Sequence, residues 1–580
     1  MSPHAFFHKF AALIGAVMII AGIGVGALAI AQLPMLPGIR NSALAASIGV
    51  FQSPLAEPDV PSSPPVVDEQ PIAANPGERL VVALAPGLPT DLISTTTELA
   101  TTHTDIVITS VDAPDSSVTL NWEVVGGEPI YQQFFAAATR FDTINLNVRS
   151  LHIERAWKGD QRTFKSIAVL TSSLPALTQL LGEPGGSVVD YATIEEIVEA
   201  SWAERNVLAL VPFDQLQPAL AVFTVDGQTP VENAAKFNPS AYPLVATVYA
   251  HIESTAPSNV LSRLSAALPA TNRNSSKLTV VAMTGVTAMV RLTAEQMDLR
   301  GPAWPAEVVG PELAAADITA ISNEVPFVPD CETNTDEENL VFCSKPEYMQ
   351  TLRASGADIV GLTGNHQNDY GLENALTSLE IYADEGLPVY GGGADKASAF
   401  APLMIEHNGN KLAFLGANSY GPPSAWATDF SPGSAPFDLA IMSAAIRSIK
   451  EANEADVVFS ELQYQESYDV TPLYDQRLDF SALARAGADV VTGVQSHVPQ
   501  AVEFVEGRLI LYGLGNLYFD QMWTEETREG LIVKHTIYAG RHISTQILPT
   551  LLFDSGQPRW PDPERRAAIL AKVFGASVWE

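Results

Sequence analysis

Four short polar clusters in this sequence carry residue types that could ligate a hard metal ion or move a proton. Asn365 and His366 close the run Asp358-Ile-Val-Gly-Leu-Thr-Gly-Asn-His, and Glu324 closes Asp317-Ile-Thr-Ala-Ile-Ser-Asn-Glu. Glu461 and Gln463 follow Asp456-Val-Val-Phe-Ser, while Gln495 and His497 follow Asp489-Val-Val-Thr-Gly-Val. Each cluster comes directly after a short apolar run with β-branched residues, the pattern of a buried strand. In open α/β sheets ligands sit at the carboxyl ends of the strands. Hard divalent cations take carboxylate, amide and imidazole donors converging from several such ends, and a pair of them can activate water and clamp phosphoryl oxygens. A single cluster has a plainer reading, His366 as a helix cap or a satisfied buried histidine. Recurrence on several strand exits is what favours a site.

The elements that must position these residues alternate between strand and helix. Strand-like runs recur at Leu278–Thr284, Asp317–Ile321, Asp358–Thr363, Lys411–Ala417, Asp456–Glu461 and Asp489–Thr492, and Tyr370–Gly386 has helical spacing with a glycine stop. Ile405–Phe414 and Val505–Tyr512 read as hairpins around polar turns. These place an α/β domain over residues 278–553, with a tail helix within 554–580. A first α/β domain is expected over 78–272, from strand-like Arg79–Ala85, Asp105–Ser110 and Ser166–Thr171 and helix-like Ile194–Ala203. Thr271–Lys277 reads as a linker. Val207–Pro218 with Val222–Gly227 resembles the closing lobe of extracellular solute-binding proteins; a structural module without a ligand is the equal reading.

The 580-residue chain has 66 acidic and 32 basic side chains, a net charge of -34. That surface repels phosphate backbones, so no nucleic acid partner is expected. Residues 10–31 are almost all apolar or small, enough for a single membrane pass, with the positive flank on the N-terminal side. We therefore expect an anchor over 1–32 (a cleaved signal is the rival), a Pro/Ser/Ala-rich linker over 33–77, and an extracytoplasmic body on the cell membrane. The only cysteines, Cys331 and Cys343, share one polar loop that holds no histidine. Their spacing and an exported chain favour a local disulfide over two free thiols.

In order and wording, the motifs of about 278–525 resemble the CapA family, poly-γ-glutamate capsule synthesis proteins related to calcineurin-like metallophosphoesterases. The resemblance rests on Thr363-Gly-Asn-His-Gln-Asn-Asp-Tyr-Gly371, Tyr390-Gly-Gly-Gly-Ala394, Ala488–Gln500, Glu503 and Tyr512-Gly-Leu-Gly-Asn-Leu-Tyr-Phe-Asp520. It implies a metallophosphoesterase-like α/β sandwich behind the solute-binding-like domain, a divalent metal (Mn, Mg, Zn or Fe), and partners in capsule synthesis or an anionic surface polymer. The family's metal-binding Asp falls on Val286, its His-Trp-Gly on Gln463-Tyr464-Gln465, and its His-Pro-His on Gln495-Ser496-His497. A valine ligates nothing, and a glutamine brings no charge. What survives is a reduced metal set of Glu324, Asn365, His366 and His497, with His366 and Asn365 as catalytic candidates. Tyr370, Gln463, Gln495 and Asn516 are candidate substrate contacts, and Asp369 a brace for His366. Gly391–Gly393 is a weak phosphate-cradle signal, better read as backbone passing close to a neighbouring strand. Two functions stay open: a hydrolase or transferase at a reduced metal site, or a non-catalytic surface scaffold or ligand-binding protein.

Overall fold

The apolar runs do become strands, and what fixes their mutual register is a device at their amino ends. In the computed structural model, which describes residues 80–579 apart from 104, 111–115 and 255, four aspartates precede four strands. Each accepts a backbone N–H from the second or third residue of the neighbouring strand at 2.8 Å: Asp317 from Val280, Asp358 from Thr319, Asp456 from Lys411 and Asp489 from Val458. An otherwise unpaired amide is satisfied each time, so slippage by one residue breaks a hydrogen bond and turns apolar side chains out of the core.

Residues 80–252 build a nine-stranded mixed sheet. Its strands are β1 (Leu80–Leu84), β2 (Ile106–Ser110), β3 (Val118–Asn121), β4 (Glu128–Arg140), β5 (Ser166–Leu170), β6 (Val188–Tyr191), β7 (Val207–Pro212), β8 (Leu220–Val222) and β9 (Val245–Ile252). The order is β2-β1-β3-β9-β4-β7-β5-β6, with β8 beside β4. Helix α1 (Ile194–Ala203) starts with a capping box between Thr193 and Glu196, the usual way to satisfy first-turn amides.

Two further sheets lie face to face. One comprises β10 (Leu278–Thr287), β11 (Ile318–Asn323), β12 (Ile359–Gly361), β13 (Val389–Tyr390), β20 (Asn516–Tyr518), β21 (Glu529–Tyr538), β22 (Arg541–Phe553) and β23 (Gln557–Arg559). Its order is β13-β12-β11-β10-β21-β22-β23, with β20 beside β10. The other runs β14-β15-β16-β17-β19-β18, from β14 (Leu403–His407), β15 (Asn410–Asn418), β16 (Val457–Gln463), β17 (Val490–Val494), β18 (Val502–Val505) and β19 (Arg508–Leu511). Val281, Met283, Ile318 and Ile359 of the first pack on Phe414, Phe459, Val490 and Leu509 of the second. The outer face of the first carries Tyr382 of α2 (Gly371–Asp384) against Val360. The outer face of the second carries Met442 and Ile446 of α3 (Leu439–Glu451) and Phe480 and Leu483 of α4 (Tyr474–Ala486). The result is a four-layer α/β/β/α sandwich. Burial on both faces explains the uninterrupted apolar runs of its parallel strands.

Several elements extend past their expected bounds: β10 runs on to Thr287, β23 carries the sheet to Arg559, and the tail helix is α5 (Pro563–Ala576). Both hairpins form, β14 with β15 and β18 with β19. Residues Asn75–Glu580 cluster as one unit. The expected anchor over 1–32 and linker over 33–77 lie outside the described residues. Among the described residues no helix is long and apolar enough to cross a membrane.

Cys331 and Cys343 form the disulfide, their Cα atoms 5.9 Å apart. The loop it closes delivers Phe342, whose ring lies 4.3 Å from that of His366 and whose N–H donates to Asp369 at 2.8 Å. With 12 residues of separation, loop closure stabilises the fold by about 2–3 kcal/mol. The double variant C331S/C343S is therefore expected to lose that amount of unfolding free energy, read as a lower urea midpoint. A midpoint equal to the parent's would show that the loop is held without the bridge.

Candidate functional site

The parallel strands of both sheets end at the same side of the sandwich, so the side chains just past them converge. Gln463 is the last residue of β16, in register with Asn418 of β15 and Val494 of β17. Two residues earlier on the same face, Glu461 points between the sheets and takes hydrogen bonds from Ser322, Thr363 and Tyr390 at 3.0, 2.8 and 2.8 Å. Burial raises its pKa and those three hydroxyl donors pull it back. Glu461 is thus an internal tie between sheets, not part of the site.

The centre of the cluster is an amide. Gln463 Nε2 donates to Asn365 Oδ1 at 2.8 Å, to Gln495 Oε1, and more loosely to Glu324 Oε2 at 3.4 Å. Which end of Gln463 points inward is fixed by its neighbours rather than assumed. Asn418 Oδ1 accepts from Gly421 N and Trp426 Nε1, so Asn418 Nδ2 donates, reaching Gln463 Oε1 at 2.7 Å. That leaves the Gln463 N–H2 group facing the oxygens. All four participating side chains are buried.

Glu324 is 4% exposed. Burial pushes its carboxyl up to about 7, the nearby His366 only partly offsetting this. His366 is placed by Asp369, 2.6 Å from its Nδ1. Burial works against its charge, but that hydrogen bond and the charges of Glu324, Asp369 and Glu466 outweigh it and raise its pKa. His497 is the opposite case. Asn516 Nδ2 donates to Gln521 and Thr527, so its Oδ1 accepts and His497 Nδ1–H is the donor, at 2.9 Å. Burial then lowers His497 to about 4, leaving a neutral ring with a bare Nε2 lone pair. Gln495 and His497 both have positive φ, 86° and 56°, a strained conformation for such residues that only a well-packed loop sustains. Phe519 and Tyr468 pack on the His497 ring, each at 5.6 Å.

Glu324, Asn365, His366, Gln463, Gln495 and His497 are thus brought to one end of the sandwich. Asn516 holds His497 and has its polar atoms engaged there, and Tyr370 is exposed, beside the small cavity under the disulfide loop. Gly391 comes within van der Waals reach of Thr363 and Gly416, where a Cβ would meet Thr363 Cγ2 at 2.6 Å. Close backbone passage is therefore its role. Sequence reasoning missed Asn418, which orients Gln463, and Glu466, whose carboxylate takes hydrogen bonds from Tyr420 and Tyr468 and whose charge reaches both histidines. The alternation of β16 carries a signal for Gln463, two residues beyond Glu461, but nothing local marks Asn418.

As arranged, these residues do not fit a divalent ion. The atom at the convergence of three oxygens is an amide nitrogen that donates, Val286 supplies no ligand, and Glu324 near neutrality is half protonated. Among the described residues no group of three or more His, Cys, Asp or Glu side chains is placed to hold a metal ion. Chemically the cluster offers a titrating carboxyl, a carboxylate-backed imidazole and a neutral imidazole acceptor.

The raised pKa of Glu324 has a measurable consequence. From 4.5 up to about 7 the folded chain keeps a proton that the unfolded chain has released, so stability falls as pH rises through that window. Glu324→Gln removes this dependence. The variant should match the parent near pH 4.5 and exceed it by about 1–3 kcal/mol above the window, read from denaturant midpoints at both ends. A pH-independent difference between the two proteins would rule the account out.

A four-layer α/β sandwich with polar side chains gathered at the carboxyl ends of both central sheets defines a strand-end site of the α/β class. Residues 280–521 match the model of the family described as bacterial capsule synthesis protein PGA_cap, so the chain carries a CapA-like domain over that span. It is 26% identical over 303 residues to the capsule biosynthesis protein CapA of Bacillus anthracis, covering 52% of this chain and 73% of that one. To the PGA biosynthesis protein CapA of Bacillus subtilis it is 28% identical over 230 residues, 40% of this chain and 60% of that one. Among solved structures, NAD nucleotidase of Haemophilus influenzae covers 52% of this chain and 64% of its own, at 12% identity and a TM-score of 0.31.

Proposed function

We propose that this chain is an accessory protein in the making of a bacterial surface polymer, poly-γ-glutamate or a related anionic polyamide. It is held outside the cytoplasm by the anchor expected over residues 1–32, and it acts by binding rather than by metal-assisted turnover. In this reading the sandwich is a calcineurin-like phosphoesterase fold put to another use, and the first sheet is a solute-binding-like module. The polymer role is supported by the CapA-like domain and by the names of relatives, which include a probable polyglutamine synthesis accessory protein of Mycobacterium tuberculosis, 25% identical over 270 residues. The binding role is carried by one observation: the Gln463 amide stands where the oxygens of Asn365, Gln495 and Glu324 meet. Around it, Glu324 and His497 can hold a ligand, and Glu324 can exchange a proton with it.

The test is genetic and chemical together. Deleting the gene should abolish or shorten the surface polymer, and complementation with His366→Gln should restore it. Purified full-length chain should retain no stoichiometric metal after chelation. Failure of His366→Gln to complement, together with tightly held metal in the parent, would favour the second reading, a hydrolase or transferase.

A further inference from the structure

Away from the strand-end cluster, one surface of this strongly acidic chain reverses its sign. The loop after β4, residues 141–149, borders two adjoining cavities of about 480 and 600 Å3 that share Ile144, Asn145 and Asn147. The first is bordered by Arg140, Arg205 and His152, with Asp142 the one carboxylate among its lining residues. The second is bordered by Arg566 of α5 and by apolar residues that include Ile547 and Leu548.

The hydrogen bonds show how the positive charge is distributed. Arg140 is fully used: it holds Asp142 at 2.5 and 3.1 Å, donates to Trp202 O at 3.2 Å and lies 4.7 Å above the Trp202 ring. Arg205 touches the same Asp142 with a single nitrogen at 2.7 Å, and its side chain is 62% exposed. Its other N–H groups are therefore free to bind. Arg566 donates to the Ile144 carbonyl at 2.8 Å, and no carboxylate among the described residues pairs with it. Burial lowers its pKa, the mark of a guanidinium that has lost water without gaining an anion. Arg140 and Arg205 thus share one carboxylate and Arg566 has none, in a chain of net charge -34. An unpaired, partly desolvated guanidinium is a site that an incoming carboxylate stabilises.

From these features we infer that the two cavities form one track for an oligomeric carboxylate, a polyamide bearing one acid group per residue and apolar methylenes between. One carboxylate lies on Arg205 and another on Arg566. The Asn145 and Asn147 amides face the intervening backbone, and the apolar walls beside Arg566 take the methylenes. A net positive track on a chain of net charge -34 lets the acidic surface around it repel bound polymer, favouring sliding over retention. The inference rests on the polymer reading for its ligand but on different residues from the strand-end cluster.

The experiment uses the full-length chain in detergent and a fluorescein-labelled γ-glutamate decamer, followed by anisotropy at low ionic strength. The parent should bind saturably, more weakly as salt is added. Arg205→Glu and Arg566→Gln should each weaken binding by about tenfold or more. Arg205→Lys should bind like the parent, as should Arg353→Gln, whose exposed side chain pairs with Glu385 and borders neither cavity. Should Arg566→Gln unfold, as judged by its melting curve, Arg205→Glu alone decides. Saturable binding that survives Arg205→Glu overturns the inference, as does equal binding of the neutral γ-glutamine decamer. Binding of a polyphosphate chain in place of the glutamate decamer also overturns it. Loss of the track with the gene-deletion phenotype intact would sink this inference alone, whereas a deletion strain with normal polymer would sink the polymer reading itself.

Discussion

Gln463→Leu is expected to destabilise the protein by about 3 kcal/mol or more, because it leaves several buried polar atoms without partners at about 1–3 kcal/mol each. The oxygens of Asn365 and Gln495 lose their donor, Glu324 loses its weak one, and Asn418 Nδ2 keeps only the Thr363 carbonyl. Gln463→Glu, nearly isosteric, should be worse still: it turns the central donor into an acceptor and sets a carboxylate against three oxygens. Divalent metal added to Gln463→Glu should then recover stability, since a cation supplies the positive centre that the amide provides in the parent. The triple variant V286D/Q463H/Q495H goes further, supplying the carboxylate and imidazoles that hard and borderline metals prefer. It is expected to hold stoichiometric divalent metal where the parent does not, measured by elemental analysis after gel filtration. A Gln463→Leu protein as stable as the parent would mean that the amide is incidental. A triple variant that binds no metal would mean that the scaffold has drifted too far to be reversed.

Lys534→Met should cost about 3–5 kcal/mol, for a different reason. The Lys534 ammonium is 1% exposed and donates to both oxygens of Glu232, at 2.6 and 2.7 Å, and to Glu312 at 2.9 Å. Glu232 belongs to the segment following the β8 region, whereas Lys534 is on β21, so removing the cation strands the Glu232 carboxylate at the junction and leaves Glu312 with Lys236 alone. Thr536 Oγ1 donating to Val231 O at 2.8 Å joins the same segments. The double variant E232Q/K534M should regain a substantial part of the loss, because it removes the stranded Glu232 charge. Calorimetry provides the readout. The parent should melt in one transition, and Lys534→Met either at lower temperature or in two. Unchanged melting would show that the pair is compensated by other contacts.

Much of the fold was legible because its causes are local. Apolar runs with β-branched residues became parallel strands, glycine and proline clusters became turns, and the Cys331–Cys343 loop closed on itself. The strand exits at Glu324, Asn365 and His497 were readable from periodicity alone, since a strand buried on both faces has nowhere to put a polar residue except its end. The departures at Val286, Gln463 and Gln495 were equally plain, being statements of residue type. Less visible were the four aspartates at the strand starts. They stood in the sequence before each run, but their role depends on a neighbouring strand's amide.

What the sequence determined by itself was the family of the domain, the order of its strands and helices, and the inventory of groups at their ends. What only the tertiary structure decided was how those groups are used. Glu461 and Gln463 have the same sequence credentials, yet one ties two sheets through three hydroxyls and the other centres the polar cluster. His366 and His497 are both strand-end histidines, yet Asp369 favours the charged form of one and burial enforces the neutral form of the other. The reason is physical: residue type sets which hydrogen bonds and charges are available, whereas pKa, donor direction and convergence depend on dielectric and on partners within a few ångströms. Those partners, Asn418, Asp369 and Asn516, come from other strands and loops, and only the folded chain brings them there.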